Sequence, residues 1–258
     1  MSNWQVQRVA FSTIVVKEVR RFMRIWQQTL LPPAITMTLY FVIFGNLIGS
    51  RIGEMGGVDY MAFIVPGLIM MSVITNAYGN VASSFFSNKF QRSVEEMMVA
   101  PVHPLTILFG FVAGGVTRGV LVGLIVTLLS LWFTDLAINN IWVVISVILM
   151  SAIVFALGGF INAIFATKFD DISIIPTFVI TPLTYLGGVF YSIDLLPEFW
   201  RAVSALNPIL YLVNTFRYGV LGVSDVNILH AYVMLIGFIV ALTAICVWLI
   251  RRGVGMRQ

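Results

Sequence analysis

The chain has 258 residues, of which 59% are hydrophobic and 10% charged, with a mean hydropathy of +0.98. That balance excludes an ordinary soluble domain. The formal net charge of +4 does not indicate nucleic acid, because the cations gather at the ends of apolar runs and not in an aromatic-interleaved patch.

A hydrocarbon core of about 30 Å needs roughly 20 apolar residues per helix, which leaves room here for about six crossings. The expected architecture is therefore a single all-α integral membrane domain over residues 1–258. The first element, Trp4 to Trp26, is too charged to span and lacks the apolar run of a signal peptide. On a helical wheel Lys17, Arg20, Arg21 and Arg24 share one arc, with Val15, Val19, Phe22 and Trp26 opposite. This predicts an amphipathic interfacial helix within residues 1–28. Pro32-Pro33 then breaks or redirects the helix, forming an elbow into the first crossing.

Six spans are predicted: Leu31–Ile48, Met61–Phe86, Leu105–Phe133, Ile138–Phe165, Ile172–Tyr191 and Ile228–Ile250. They put both termini on one side. That side carries Arg8, Lys17, Arg20, Arg21, Arg24, Lys89, Arg92, Lys168, Arg251, Arg252 and Arg257, and the other carries Arg51, Arg201 and Arg217. Eleven cations against three make the termini cytoplasmic.

Between the second and third spans lies the charged segment NKFQRSVEEMMVAPVHP, Asn88 to Pro104. Its first part, Asn88 to Val99, is expected to be a short helix ended by Pro101 and Pro104. Lys89, Arg92, Glu95 and Glu96 are spaced for charge pairs along it, and Phe90, Val94, Met97 and Met98 form an apolar face that a partner groove can accept. The apolar-rich connection Ser192 to Asn227 is read as returning to the membrane. Pro197 opens one short helix there, and Asn207-Pro208 ends it and opens another, with Trp200, Tyr211 and Phe216 at interfacial depth.

Catalytic and nucleotide-binding signatures are missing. No lysine follows a glycine, so the sequence has no P-loop; it also contains no H-E-x-x-H, G-x-S-x-G or S-x-x-K, and the two histidines fall on opposite sides of the predicted topology. Asp170-Asp171 is read as the start of the fifth span, where acids favour a helix N-terminus, over a paired-carboxylate site. Cys246, the single cysteine, lies in an apolar run and forms neither an internal disulfide nor a metal cluster.

Arg118 stands in the third span with no acid in any span to pair with. It either bonds backbone carbonyls and snorkels, or meets an anionic or lipid-linked cargo. Gly110, Gly114, Gly115, Gly119 and Gly123 form a small-residue ridge on the same span, expected to pack within one subunit. Asn76 and Asn80 share a face of the second span, with Asn162 in the fourth; interhelical hydrogen bonding and polar lining both suit them.

The order of these elements resembles the membrane subunit of ABC transporters of the ABC-2 class. The resemblance rests on VEEMMVAPVHP, on TPLTYLGGVFYSIDLLP from Thr181 to Pro197 and on LPEFWRAVSALNPILYLVNTFRYGVLG from Leu196 to Gly222, and it covers essentially the whole chain. The chain is similar to YadH-type bacterial inner-membrane permeases. What this implies is a homodimer in the inner membrane that binds two copies of a separate ATPase. Residues of about 88–99 would be the coupling helix, with Arg92, Glu95 and Glu96 as polar contacts and Met97 and Met98 as apolar ones. The chain itself would hold no cofactor and catalyse nothing; ATP and Mg would sit in the partner. Export of a hydrophobic, lipid-like or drug-like molecule is implied, along a path near Arg118, Asn76, Asn80, Tyr185 and Tyr191. The alternatives are a polysaccharide or glycoconjugate exporter, with a cavity lined by Tyr185, Phe190, Tyr191 and Tyr211, and a non-ABC channel or scaffold.

Overall fold

A computed structural model describes residues 3–255; Arg257, counted above among the basic residues, lies outside them. The order is α1 (Asn3–Arg24), α2 (Trp26–Thr29), α3 (Leu31–Tyr40), a π-helical stretch (Phe41–Gly49), α4 (Ser50–Ile52), β1 (Glu54–Met55), β2 (Val58–Asp59), α5 (Tyr60–Phe90), α6 (Ser93–Val99), α7 (Pro104–Ser130) and α8 (Ile141–Phe165). Then come α9 (Asp171–Ile175), a second π-helical stretch (Pro176–Ile180), α10 (Thr181–Tyr185), a 3-10 turn (Ile193–Leu195), α11 (Glu198–Ala205), α12 (Pro208–Leu221) and α13 (Ile228–Arg252).

Five helical stretches are long and apolar enough to cross a membrane: Trp26–Ile52, Tyr60–Phe90, Pro104–Ser130, Ile141–Phe165 and Ile228–Arg252. These match five of the expected spans. The remaining one, Ile172–Tyr191, is helical only from Asp171 to Tyr185, is interrupted by the π stretch, and turns at Gly188, whose φ is +69°. A glycine is needed there because that conformation is strained for any residue with a Cβ.

Helix α5 forms the centre. Asp59 caps it by accepting from the Met61 amide at 3.0 Å, and it is buried almost throughout. Around it pack α7 and α8, and the approach is set by glycine. Gly115, Gly119 and Gly123 of α7 lie against Ala77, Val81 and Val73 of α5, while Gly110 and Gly114 receive Ile14 and Glu18 of α1. The ridge packs within the chain, as expected.

The elbow differs from its prediction. The helix breaks at Ile25 and Leu30, ahead of the prolines, which instead occupy the first turn of α3 where a missing amide costs nothing. The buried stripe of α1 is Ile14, Glu18 and Phe22, and Trp26 is exposed. The stripe is rotated by about one residue because the α7 glycines admit side chains at positions 14 and 18. A second departure is the antiparallel hairpin pairing Glu54 with Asp59, turned by Gly56 and Gly57, both at positive φ.

Two helices, α11 and α12, form where Pro197 and Asn207-Pro208 were expected to open them. Asn207 caps α12 by accepting from the Ile209 amide at 2.9 Å, and Pro208 fills its first turn. Trp200 is exposed, but Phe216 is a buried core residue and not an interfacial one. It packs inward because α12 lies against α5 and α8 along its whole length.

One end of the bundle gathers several distant segments. Gln7 of α1 meets the 101–106 turn, Phe169 stacks on Phe90, and Gly253, beyond α13, approaches Met98 of α6. Gln7 and Gly253 therefore lie at the same end of the bundle as the 88–104 segment.

Candidate functional site

The 88–104 segment is not one helix from Asn88. Helix α5 continues to Phe90, the chain turns at Gln91 and Arg92, and a separate seven-residue helix runs from Ser93 to Val99. Arg92 makes the turn with φ +61°, the left-handed region that glycine normally supplies, so nothing in the residue types announces the break.

The expected charge pairs do not form: among the described residues no ion pair joins Lys89 or Arg92 to Glu95 or Glu96. Lys89 points the other way, donating from Nζ to the Ile164 carbonyl at 2.6 Å and the Ala166 carbonyl at 2.8 Å. A cation at the C-terminus of α8 satisfies carbonyls that the helix itself cannot.

Helix α6 has two faces. Val94 is buried, and Met97 and Met98 pack with it against Phe85, Ile107, Phe160 and Ile250 of the chain's own core. The methionines are thus turned mostly inward. Arg92 and Glu96 are exposed, Glu95 is half-buried, and Val99 is 88% exposed, which makes it the outward apolar contact.

The helix is held from behind by α1. Gln7 donates to the Pro101 carbonyl at 3.1 Å and accepts from the His103 amide at 2.8 Å and the Thr106 hydroxyl at 2.7 Å. Further along, Lys17 donates to Asn88 Oδ1 at 2.8 Å, Glu18 accepts from the Ser84 hydroxyl at 2.7 Å, and Arg21 donates to Asn80 Oδ1 at 2.9 Å. Burial holds the Lys17 ammonium below its ordinary lysine range, against the opposing pull of the Glu18 carboxylate. Glu18 went unnoticed in the sequence, where the available signal was a lone acid in a basic helix facing a ridge of small residues.

The four residues assigned to a path beside Arg118 separate. Asn80 is fully buried and bonded to Arg21, and Asn76 donates to the Ser72 carbonyl of its own helix at 3.0 Å. Both serve packing of α5. Tyr185 is 43% exposed and Tyr191 half-buried. Tyr185 belongs to an aromatic group in which Phe190 lies 4.8 Å from Phe44, 5.9 Å from Tyr40 and 5.9 Å from Tyr185, joining the first crossing to the 185–191 turn. Arg118 donates to the Thr29 carbonyl at the elbow at 3.3 Å, and Arg21 is its charged neighbour. Asn162 donates to the Ile172 carbonyl at 3.0 Å.

Among the described residues the most buried cation is one that the sequence placed on the outer side, within the connection expected to return to the membrane. Arg217 is 1% exposed, donates to the carbonyls of Phe63 at 3.2 Å and Gly188 at 2.6 Å and to Asn214 Oδ1 at 3.1 Å, and lies 3.8 Å above the Phe63 ring. It ties α12, α5 and the 185–191 turn together.

Asp171 does not cap its own helix. Its Oδ2 accepts from the Thr167 amide at 2.8 Å, the Thr167 hydroxyl at 2.8 Å and the Lys168 amide at 2.9 Å, folding back the turn after α8. The backbone bonds from Thr167 and then Lys168 hold its carboxyl below the usual carboxylate range. A depressed folded pKa means that this support is complete above the ordinary value of about 3.9 and is lost as pH falls through the lower folded value. We expect Asp171→Asn to speed hydrogen exchange at the Thr167 and Lys168 amides at neutral pH, as strong acid should in the wild type; unchanged exchange in the variant would refute the role.

Comparison with known proteins places the chain in a family. The family described as ABC-2 type transporter matches residues 9–221. The inner membrane transport permease YadH of Escherichia coli (strain K12) is 60% identical over 251 residues, 97% of this chain and 98% of that protein, and the YadH of Shigella flexneri matches equally. Nodulation protein J of Rhizobium leguminosarum bv. viciae is 26% identical over 204 residues, 78% of this chain and 79% of that one. With its several apolar helices, the chain belongs to the ABC-2 type transporter family, as a multi-pass transport permease of the inner membrane.

Proposed function

We propose that this chain is the membrane-spanning subunit of an ATP-driven exporter, working as a homodimer with two copies of a separate ATPase. The observation that carries the reading is α6, a helix fixed to the bundle by Val94, Met97 and Met98 whose other face presents Arg92, Glu96 and Val99. Lys89 and Gln7 brace it at either end, so force applied to the exposed face passes into α1, α5, α7 and α8 as rigid bodies. ATP and Mg belong to the partner, and the permease converts closure of the ATPase pair into movement of its helices.

In this reading both termini are cytoplasmic, which the eleven-to-three distribution of cations and the shared position of Gln7 and Gly253 beside the 88–104 segment support. The segment Ile172–Tyr191 is the sixth crossing, and α11 and α12 return into the outer leaflet. The cargo class favoured is hydrophobic, lipid-like or drug-like. Phe190 is wedged among Tyr40, Phe44 and Tyr185, an apolar surface better suited to acyl or aromatic groups than to a hydrated sugar chain.

Reversing charge at Glu95 and Glu96 to lysine is expected to reduce co-purification of the ATPase at least about ten-fold, the loss of one or two charge-assisted contacts. Folding should be unaffected, since Glu96 is exposed and neither acid has an ion-pair partner. Unaltered pull-down together with unaltered transport-coupled hydrolysis would exclude this face as the docking site.

A further inference from the structure

The basic face of α1 is more than an interfacial stripe. Lys17, Arg20, Arg21 and Arg24 line a groove of about 1190 Å³ together with Ser12, Thr13 and the apolar Val16, Met23 and Ile25. At the elbow end Arg118 reaches out of α7 to the Thr29 carbonyl and brings a fifth cation close to Arg21.

The protein supplies one carboxylate for these five charges, and it is already engaged. Glu18 is fully buried, accepts from Ser84, and lies 3.7 Å from Lys17 Nζ and 3.4 Å from Arg21 Nε. Arg20 and Arg24 make no hydrogen bond or ion pair among the described residues. The Nε atoms of Arg21 and Arg118 are buried without a hydrogen-bond partner. Arg21, partly exposed and 3.4 Å from Glu18, and Arg118, its charged neighbour, thus share one carboxylate, and the repulsion between the two guanidinium groups is one that an added anion offsets well.

The form of that anion follows from position and shape. The groove runs along an amphipathic helix at the depth of lipid headgroups, its wall is partly apolar, and planar guanidinium forks match the oxygens of a phosphate. We infer that the elbow is a seat for one anionic phospholipid per chain, its phosphate held by Arg21 and Arg118, with Arg20 and Arg24 at the rim and its acyl chains alongside Val16, Met23 and Ile25. Such a lipid would fix the angle between α1 and the first crossing. The inference requires only that the chain sits in a bilayer, and not any direction or cargo of transport.

The test is native mass spectrometry and thermal unfolding of the purified permease in detergent, without ATPase, titrated with phosphatidylglycerol, phosphatidylethanolamine or inorganic phosphate. We expect saturable retention of one phosphatidylglycerol per chain and a raised Tm, neither of which phosphatidylethanolamine reproduces. Arg118→Gln should weaken retention about ten-fold, the scale of one charge-assisted pair, whereas Arg8→Gln, outside the groove, should not. If Arg118→Gln folds poorly, Arg24→Gln serves instead, because Arg24 is exposed and unbonded and its loss should weaken retention while leaving the lipid-free Tm unchanged. Equal retention by wild type and groove variants would overturn the site, and stabilisation by inorganic phosphate matching that by phosphatidylglycerol would overturn its assignment to a lipid.

Discussion

Gly159→Ala is expected to collapse the yield of folded permease, whereas Gly158→Ala, one residue away, leaves it intact. Helix α8 lies against α5 at Gly159, where an added Cβ would overlap the Tyr78 carbonyl oxygen and also sit 3.2 Å from the Ala82 amide nitrogen. These are backbone atoms of a central helix and cannot rotate aside. The two helices must separate, which breaks contact along their whole length and costs about 2 kcal/mol or more. At Gly158 the same Cβ would meet only the Tyr78 ring at 3.7 and 3.8 Å, an ordinary contact. Monodisperse yield and thermal stability in detergent separate the two variants. Equal behaviour would mean that α5 and α8 are not packed as described.

The second large effect is expected at Arg217. Truncation to alanine takes the arginine's donors from the Phe63 and Gly188 carbonyls and from Asn214 Oδ1, which keeps the Asp225 amide at 3.3 Å, and removes the stem covering the Phe63 ring. Hydrogen bonds from a charged group contribute about 1.5 kcal/mol or more each, so a loss of about 3 kcal/mol or more follows for the group. Arg217→Met keeps apolar cover on Phe63 and should be milder than Arg217→Ala. The damage is expected to be local: proteolytic nicking between residues 186 and 227 should rise while the α5–α7–α8 core persists. Arg217→Ala with wild-type stability and nicking would deny the arginine its structural role.

Both residues show where the sequence was readable and where it was not. Apolar length identified the long crossings, and Asn207-Pro208 marked the α11–α12 boundary, because hydrophobic extent and proline chemistry are local properties. The glycines of α7 likewise announced close packing, but not that Gly114 would receive an acid, since Glu18 is ninety-six positions away in sequence, with α2 to α6 between. Arg217 looked like one more cation of the outer side because its partners are mostly carbonyls, which every residue carries and no composition reveals.

The 88–104 segment was half legible. Its charge and prolines singled it out, yet the turn at Arg92 depends on a left-handed arginine that no propensity favours, and Lys89 prefers the end of α8 to its own neighbours. As a consequence the methionines face inward, and the outward apolar contact falls to Val99. The hairpin turned by Gly56-Gly57 joins strands of only two residues each, Glu54–Met55 and Val58–Asp59, too short for an alternating pattern to announce them.

The central claim is that the exposed face of α6 meets a separate ATPase. A photo-crosslinking residue installed at Glu96 in intact cells tests it most directly, with the same residue at Trp132, an 83% exposed position after the end of α7, as the control. The account predicts a crosslink from position 96 to a protein carrying G-x-x-x-x-G-K-[ST], stronger or weaker according to nucleotide state, and none to that protein from position 132. A crosslink to that protein from position 132 but not from position 96, or no nucleotide-binding partner at either, would contradict it.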